Sequence, residues 1–451
     1  MQIPLIGRGV QGRSRRLSPA VLVNVFPETH EGKLSDASLS GTGGLQQFAD
    51  LGDRIRMMHE VGDTLYALAG DTLYEVDSNG NATAHGTVPG IIDPKADDNG
   101  LQIAIPVSDG YVFDINAETV SQITDPDYRA SSSAAFISQY VSFIENGSGR
   151  FFISEFLDVT DFDSLNFATG ESDPDVVVAN HQFQGNHWLL NTKTCEVWYY
   201  SGEAFPLNPY SNGKYNVGCG ARLSVASNED FIVWVTNNRR VYASTGGKPM
   251  PISSPEVEYA LSQLETVSDG VGFIFTEEGH TFYQVSFADL TLCYDFTTQW
   301  WFERRSGDTG EGQDGRHLAQ HHAYVYGKNL VSDYRNGKIY HMSLDYGSDA
   351  GVPIVRQGIF PPLFIGDREP IHTLKLTAET GITPINEPEA QFELRYSPEG
   401  GDWSNWMPQG LGREGQTLRR LEWHGLPSMQ SMYFHWRCSV DSPFRLIRAD
   451  V

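Results

Sequence analysis

The sequence predicts an all-β protein, a six- or seven-bladed β-propeller with an extended N-terminal segment and a C-terminal β-sandwich-like domain. Three observations point there. Short runs of alternating apolar residues recur along most of the chain, turns rich in Gly, Asn and Asp fall where hairpins must reverse, and 45 glycines with 12% aromatic residues suit many short, aromatic-rich strands. The chain divides at residues 1–50, 51–345 and 346–451.

Residues 1–50 show no repeat. Arg8, Arg13, Arg15 and Arg16 make a basic stretch in an acidic chain, and Leu22, Val23, Val25 and Phe26 are apolar anchors that need a surface to pack on. The segment therefore reads as an assembly arm.

From residue 51 to 345 one strand type recurs. It reads Leu73-Tyr74-Glu75-Val76, Val112-Phe113-Asp114-Ile115, Phe151-Phe152-Ile153, Val197-Trp198-Tyr199, Val241-Tyr242-Ala243, Phe282-Tyr283-Gln284-Val285 and Ile339-Tyr340-His341-Met342. Roughly 40 to 57 residues separate successive aromatics, near the length of a four-stranded propeller blade. A lone blade cannot bury both faces, whereas a ring of blades covers them all, with aromatics filling the wedges. Asp77-Ser78-Asn79-Gly80, Ser108-Asp109-Gly110, Glu145-Asn146-Gly147 and Asn336-Gly337 mark reversals where Gly or Asn supplies a positive φ. One short helix is expected between blades, with Ser254 as N-cap, Pro255 at its first position, and Val257, Leu261 and Leu264 on one face.

After residue 345 the repeat ends, and Pro353, Pro361 and Pro362 mark the crossing. Alternation resumes with Phe392, Leu394 and Tyr396 opposite Glu393 and Arg395, then with Met432, Phe434, Trp436, Cys438 and Val440. This is the pattern of a second, smaller β domain.

The 451 residues carry 57 acidic and 32 basic side chains, a formal charge of −25, with a mean hydropathy of −0.34. Sequence-reading duplex binders need a basic footprint, so that class is excluded. Cys195, Cys219, Cys293 and Cys438 stand far apart and read as reduced core residues, not as zinc ligands or a disulfide framework. No window approaches a membrane span, and the first residues lack the apolar run of a secretion signal. The Asn81-Ala82-Thr83 and Asn146-Gly147-Ser148 sequons are then incidental.

No constellation rises to an active site, so no catalytic, cofactor-binding or metal-ligating residue is assigned, and the protein is read as a non-enzyme. The pairs Asp97 and Asp98, Asp125 and Asp127, Asp161 and Asp163, and Asp173 and Asp175 could serve a glycosidase, but they sit among Pro and Gly where Asp builds turns. His317, His321 and His322 include a zinc-like spacing without a helix or an intervening Glu. Ser397-Pro398-Glu399-Gly400-Gly401-Asp402-Trp403 is similar to a sialidase Asp-box hairpin, itself a folding element. Gly41-Thr42-Gly43-Gly44 lacks the Lys of a phosphate loop and reads as a turn.

Other runs carry a family resemblance. Asp269-Gly270-Val271-Gly272-Phe273, Glu278-Gly279-His280-Thr281-Phe282-Tyr283, Tyr294-Asp295 and Gln299-Trp300-Trp301-Phe302-Glu303-Arg304 resemble the packaged-DNA-stabilisation, or tail nozzle, proteins of short-tailed bacteriophages. So do Asn24-Val25-Phe26-Pro27-Glu28, Asp333-Tyr334-Arg335-Asn336-Gly337-Lys338-Ile339-Tyr340, Leu394-Arg395-Tyr396-Ser397 and Arg419-Arg420-Leu421-Glu422-Trp423. Glu399 and the stretch 424–430 depart from the pattern.

The resemblance implies a homo-hexameric ring below the portal and its adaptor protein, part of the virion tail and assembled in the bacterial host cytoplasm. Such a ring continues the DNA channel, retains packaged DNA, receives a tail needle or plug and carries tailspikes or fibres. Double-stranded DNA passes through it without sequence-specific binding, and no cofactor is implied. The alternative is a propeller tail protein that binds or hydrolyses glycans, which would gather Arg or carboxylates on several inner strands.

Overall fold

Hairpins dominate because period-two alternation and turn residues specify them locally. The computed structural model describes residues 2–7, 9–14, 20–29, 37–170, 175–307, 315–383, 385, 388–417 and 419–451. Arg8, Arg15, Arg16 and Asp173 lie outside these, while Arg13 is exposed.

Five antiparallel four-stranded sheets follow one another. Their first strands are Ile55–Val61, Asp97–Asp98, Ala134–Ile137, Val177–Phe183 and Ala226–Ser227. A sixth unit of four strands, Val271–Glu277 to Trp300–Glu303, and a seventh that begins with Ala319–Val325 belong to larger sheets. The architecture is all-β and propeller-like. Each of the seven recurring strands read from the sequence lies in a different unit. Six are the third strand of their unit, and Phe282-Tyr283-Gln284-Val285 is in the second, His280–Ser286.

Apolar wedges join consecutive units, as the recurring aromatics lead one to expect. Leu73 meets Ile103 and Phe113 between the first and second units, Phe151 meets Trp198 between the third and fourth, and Trp188 meets Trp234 between the fourth and fifth. Ile55 and Leu65 of the first unit pack with Val325 and Leu330 of the seventh, so the last unit returns to the first. The seventh unit takes its outermost strand from the start of the chain: Gly44–Asp50 pairs antiparallel with Lys338–Ser343.

The expected helix is present as Pro255–Gln263. The Ser254 side chain accepts from the Val257 N–H, while Val257 and Leu261 are buried between the fifth and sixth units. Arg239 closes its other end by donating to the Leu261 and Leu264 carbonyls. All four cysteines are buried and unpaired.

The first residues do not form a separate arm in the described structure. Gln2–Ile3 pairs with Arg445–Asp450, and Val21–Val23 lies between the sixth unit's Trp300–Glu303 and the later strand Val355–Ile359. Val25–Thr29 and Ala37–Gly41 form a hairpin that joins Arg445–Asp450. The anchors Leu22, Val23, Val25 and Phe26 are at most 2% exposed, inside their own chain. Beyond the repeat, Gln391–Pro398 and Ser428–Ser439 pair in one sheet and Thr373–Ala378 and Leu421–His424 in another. Phe392, Leu394, Phe434 and Trp436 fill a shared core with Leu374 and Leu421, so the alternation read from the sequence faces inward as expected.

Three glycine readings change, the first because neither Asn336 nor Gly337 adopts a positive φ and a Cβ on Gly337 would lie 2.5 Å from the Gly52 nitrogen. Gly80 and Gly147 do adopt positive φ, but in Ser108-Asp109-Gly110 the left-handed residue is Ser108, at 87°, and Gly110 is glycine because a Cβ would lie 2.6 Å from Ile123 and Tyr128. Residues 41–44 are not a turn within one hairpin; they carry the chain from one sheet to another. A Cβ on Gly41 would come within 2.2 Å of the Arg356 Nε. That guanidinium is buried and donates to the Thr42 and Val440 carbonyls, so it has nowhere to withdraw. Gly41→Val is expected to lower stability by about 1–3 kcal/mol or more, read by chemical denaturation.

Candidate functional site

The first strands of the units lie beside one another and enclose a narrow cavity of about 190 Å³. Met57, Lys95, Val225, Phe273, His321 and His322 line it. It widens at one end into an opening of about 460 Å³ ringed by Arg54, Asp93, Arg222, Asp269 and Arg316. Its lining comes from the first strands of the first, sixth and seventh units, through Met57 and Met58, Val271 to Phe273 and Gln320 to His322, and from the segments 94–96 and 223–225.

The arginines at the opening are already engaged. Arg54 holds the Asp93 carboxylate through both terminal nitrogens, at 3.0 and 2.6 Å, and Arg316 donates to Gln320 Oε1 at 2.6 Å while lying over the Tyr334 ring. Arg222 donates to the carbonyls of Asp93 and Ser132, and burial lowers its pKa to about 10.

Deeper in, Lys95 Nζ is 2.9 Å from His181 Nδ1 and donates to the Val225 carbonyl, while His181 Nε2 is 2.7 Å from Ser227 Oγ. The row superficially resembles a hydrolase relay. Its polarity is opposite. A Lys ammonium donates to Nδ1 where a hydrolase has a carboxylate that accepts, so the imidazole proton sits on Nε2 and points at the serine oxygen. Burial and the Lys95 charge hold His181 well below the usual histidine range, so it does not take a proton from Ser227. Burial likewise lowers Lys95 to about 8. On the first and second units, His59 Nε2 stands 2.8 Å from Asp98 Oδ2, with Asp97 alongside.

The acidic pairs separate into two kinds. Asp125 accepts from the N–H groups of Asp127 and Phe162, Asp163 from Leu165, and Asp175 from Lys193 and Thr194, which are turn and loop-fixing contacts. Asp97 and Asp98 also accept from backbone N–H groups, and Asp98 in addition meets His59 of the first unit. The histidines do not converge as a zinc pair. A register shift between Ala319 and His322 lets both His321 and His322 line the cavity, with His322 stacked on Phe273 at 5.1 Å. His317 is 1% exposed elsewhere and accepts at Nδ1 from Gln284. In the stretch 397–403, Ser397 Oγ donates to the Gly401 carbonyl and Glu399 and Gly400 supply the positive φ of a reversal, which is a folding role.

His59, Lys95, His181 and Ser227 were not singled out by sequence. Each stands alone in its own strand or linker, and only the ring brings them together. The Asp97-Asp98 dipeptide was the one visible sign.

Residues 1–347 match the model of the family described as "Bacteriophage P22 Gp10, beta-propeller". No curated protein matches the sequence. Among solved structures the chain is similar to the computationally designed Ika8 protein, with 9% identity, 66% of this chain and 99% of that one covered, and a TM-score of 0.43. It is also similar to the Pan2 WD40 domain of Neurospora crassa, with 10% identity, 66% and 95% covered, and a TM-score of 0.45. Likenesses this remote carry no functional weight. No helix among the described residues is long and apolar enough to cross a membrane.

Proposed function

The chain belongs to the bacteriophage P22 Gp10 β-propeller family, and from that membership we propose that it is a structural subunit of a short-tailed phage's tail. In this reading six copies form the nozzle ring below the portal adaptor, continue the DNA channel, retain the packaged genome and carry a needle or plug and tailspikes or fibres. The protein resides in the virion tail, is assembled in the host cytoplasm and catalyses no reaction. The seven four-stranded units are its seven blades, formed by residues 51–345 with Gly44–Asp50 as the outer strand of the last, and residues 1–43 together with 346–451 are its assembly platform.

The family match carries the proposal. Two physical facts accord with it. The cavity inside one chain, about 190 Å³, cannot admit a duplex whose major groove alone is about 12 Å wide, so a DNA passage has to lie between copies. A charge of −25 keeps phosphate from adhering within the roughly 8 Å over which fields act at physiological salt.

Native mass spectrometry and electron microscopy of the purified chain test this. Six-fold rings with a duplex-wide opening, and antibody labelling of virion tails, are expected. Strictly monomeric protein absent from virions, or turnover of host polysaccharide by the purified chain, would overturn the reading.

A further inference from the structure

Three side chains of a metal-ligating type meet where the first two units face each other. His59 lies on Ile55–Val61, and Asp97 and Asp98 make up the innermost strand of the second unit. One ligand atom from each can be chosen so that all lie within 4.8 Å of one another. All three residues are partly buried, so the donors are partly dried without being closed off.

The carboxylates are aimed before any ion arrives. Asp97 accepts from the Asp98 N–H at 2.9 Å and from the Phe136 N–H of the third unit at 2.8 Å, while Asp98 Oδ1 accepts from the Gly100 N–H at 2.7 Å. Each oxygen keeps a lone pair, and such outer contacts orient ligands in metal sites. The local charge is unbalanced as well. Among the described residues neither Asp97 nor Asp98 forms an ion pair with Lys or Arg, and Lys95 turns its donors to His181 and Val225.

We propose that His59, Asp97 and Asp98 bind one divalent transition-metal ion of the Zn²⁺ or Mn²⁺ kind, which ties the first blade to the second. Imidazole suits zinc and carboxylates suit manganese, and water completes the shell. Ligand atoms about 2.0–2.2 Å from a tetrahedral ion stand roughly 3.3 Å apart. His59 Nε2 and Asp98 Oδ2, now 2.8 Å apart, need to part by only a few tenths of an ångström. The competing arrangement is a plain His–Asp hydrogen bond with no ion. This inference is independent of the tail reading.

The test uses the full chain, stripped with chelator and titrated separately with Zn²⁺ and Mn²⁺ by calorimetry, with Co²⁺ absorption as a ligand-sensitive spectrum. One ion per chain is expected at micromolar affinity or better, with a rise in thermal midpoint. His59→Ala and Asp98→Asn should each weaken binding at least about tenfold, the lower end for loss of a ligand or its support. Asp98→Asn keeps an oxygen for the Gly100 N–H and so keeps the fold, whatever His59→Ala does. His372→Ala and His424→Ala, at exposed histidines, should change nothing. Absence of a tight site in the wild type, retention of it in Asp98→Asn, or its loss only in the exposed-histidine variants would overturn the proposal.

Discussion

Between pH 7 and pH 6 the purified chain should lose a few kcal/mol of stability and several degrees of thermal midpoint. Six histidines are held neutral by burial: His181 and His317 well below the usual range, His187 and His435 near 3, and His321 and His322 near 4. Their folded values are depressed below the unfolded value of about 6.5. The unfolded chain therefore takes up protons that the folded chain refuses, and stability present above pH 6.5 is lost as the pH falls below it. Six such groups cost roughly 4 kcal/mol between pH 7 and 6 before compensation.

Part of this loss is offset. Asp349, raised to about 6 by burial, gains a proton in the folded state and steadies it mainly below pH 6. His280, raised by its hydrogen bond to Asp295, opposes the loss, as does His59, in which burial is outweighed by Asp98 and the neighbouring carboxylates. His187→Phe isolates one term. The ring is 0% exposed, neither nitrogen has a partner, and it already packs against Phe151 at 5.1 Å. The variant should be more stable than wild type, by more at pH 6 than at pH 7. Equal gains at both pH values would show that His187 does not resist protonation.

What the sequence made legible was local. Hairpins, the Ser254-Pro255 helix start and the inward alternation around Phe392 and Trp436 depend on residues a few positions apart, where turn chemistry and side-chain period act directly. What it hid was closure. Nothing near Gln2 signals that it pairs with Asp450, and nothing near Leu45 signals that it completes the sheet of Tyr340. Close approach was equally hidden, since Gly41 and Gly110 read as turns when they are spaces left for Arg356 and for Ile123 with Tyr128. The His59 cluster was hidden for the same reason. Asp97 and Asp98 were visible as a pair, but His59 becomes their neighbour only when the first blade packs on the second.

That dependence on closure sets the second large expectation, that deleting residues 1–50 abolishes the folded propeller whereas deleting residues 1–35 spares it. The shorter deletion removes Val21–Val23 and Val25–Thr29, and with them the buried Leu22, Val23, Val25 and Phe26. At about 1.5–3 kcal/mol for each large apolar side chain, the loss is comparable with the whole stability of an ordinary domain, about 5–15 kcal/mol. The sheets beyond residue 345 should then loosen, while Gly44–Asp50 remains in place on Lys338–Ser343. The longer deletion removes that strand as well. It strips Leu45 and Ala49, 1% and 5% exposed, from the seventh unit and opens the wedge where Ile339 meets Ile55 and Leu65. An unpaired edge and a bare apolar face then stand where the last blade should meet the first, a combination that favours aggregation. Limited proteolysis with mass spectrometry separates the cases. The first deletion should leave a resistant fragment of about residues 44–345, and the second none, with a synthetic peptide of residues 37–51 restoring part of the resistance. An equally resistant core after removal of residues 1–50, without the peptide, would show that the ring closes by another contact.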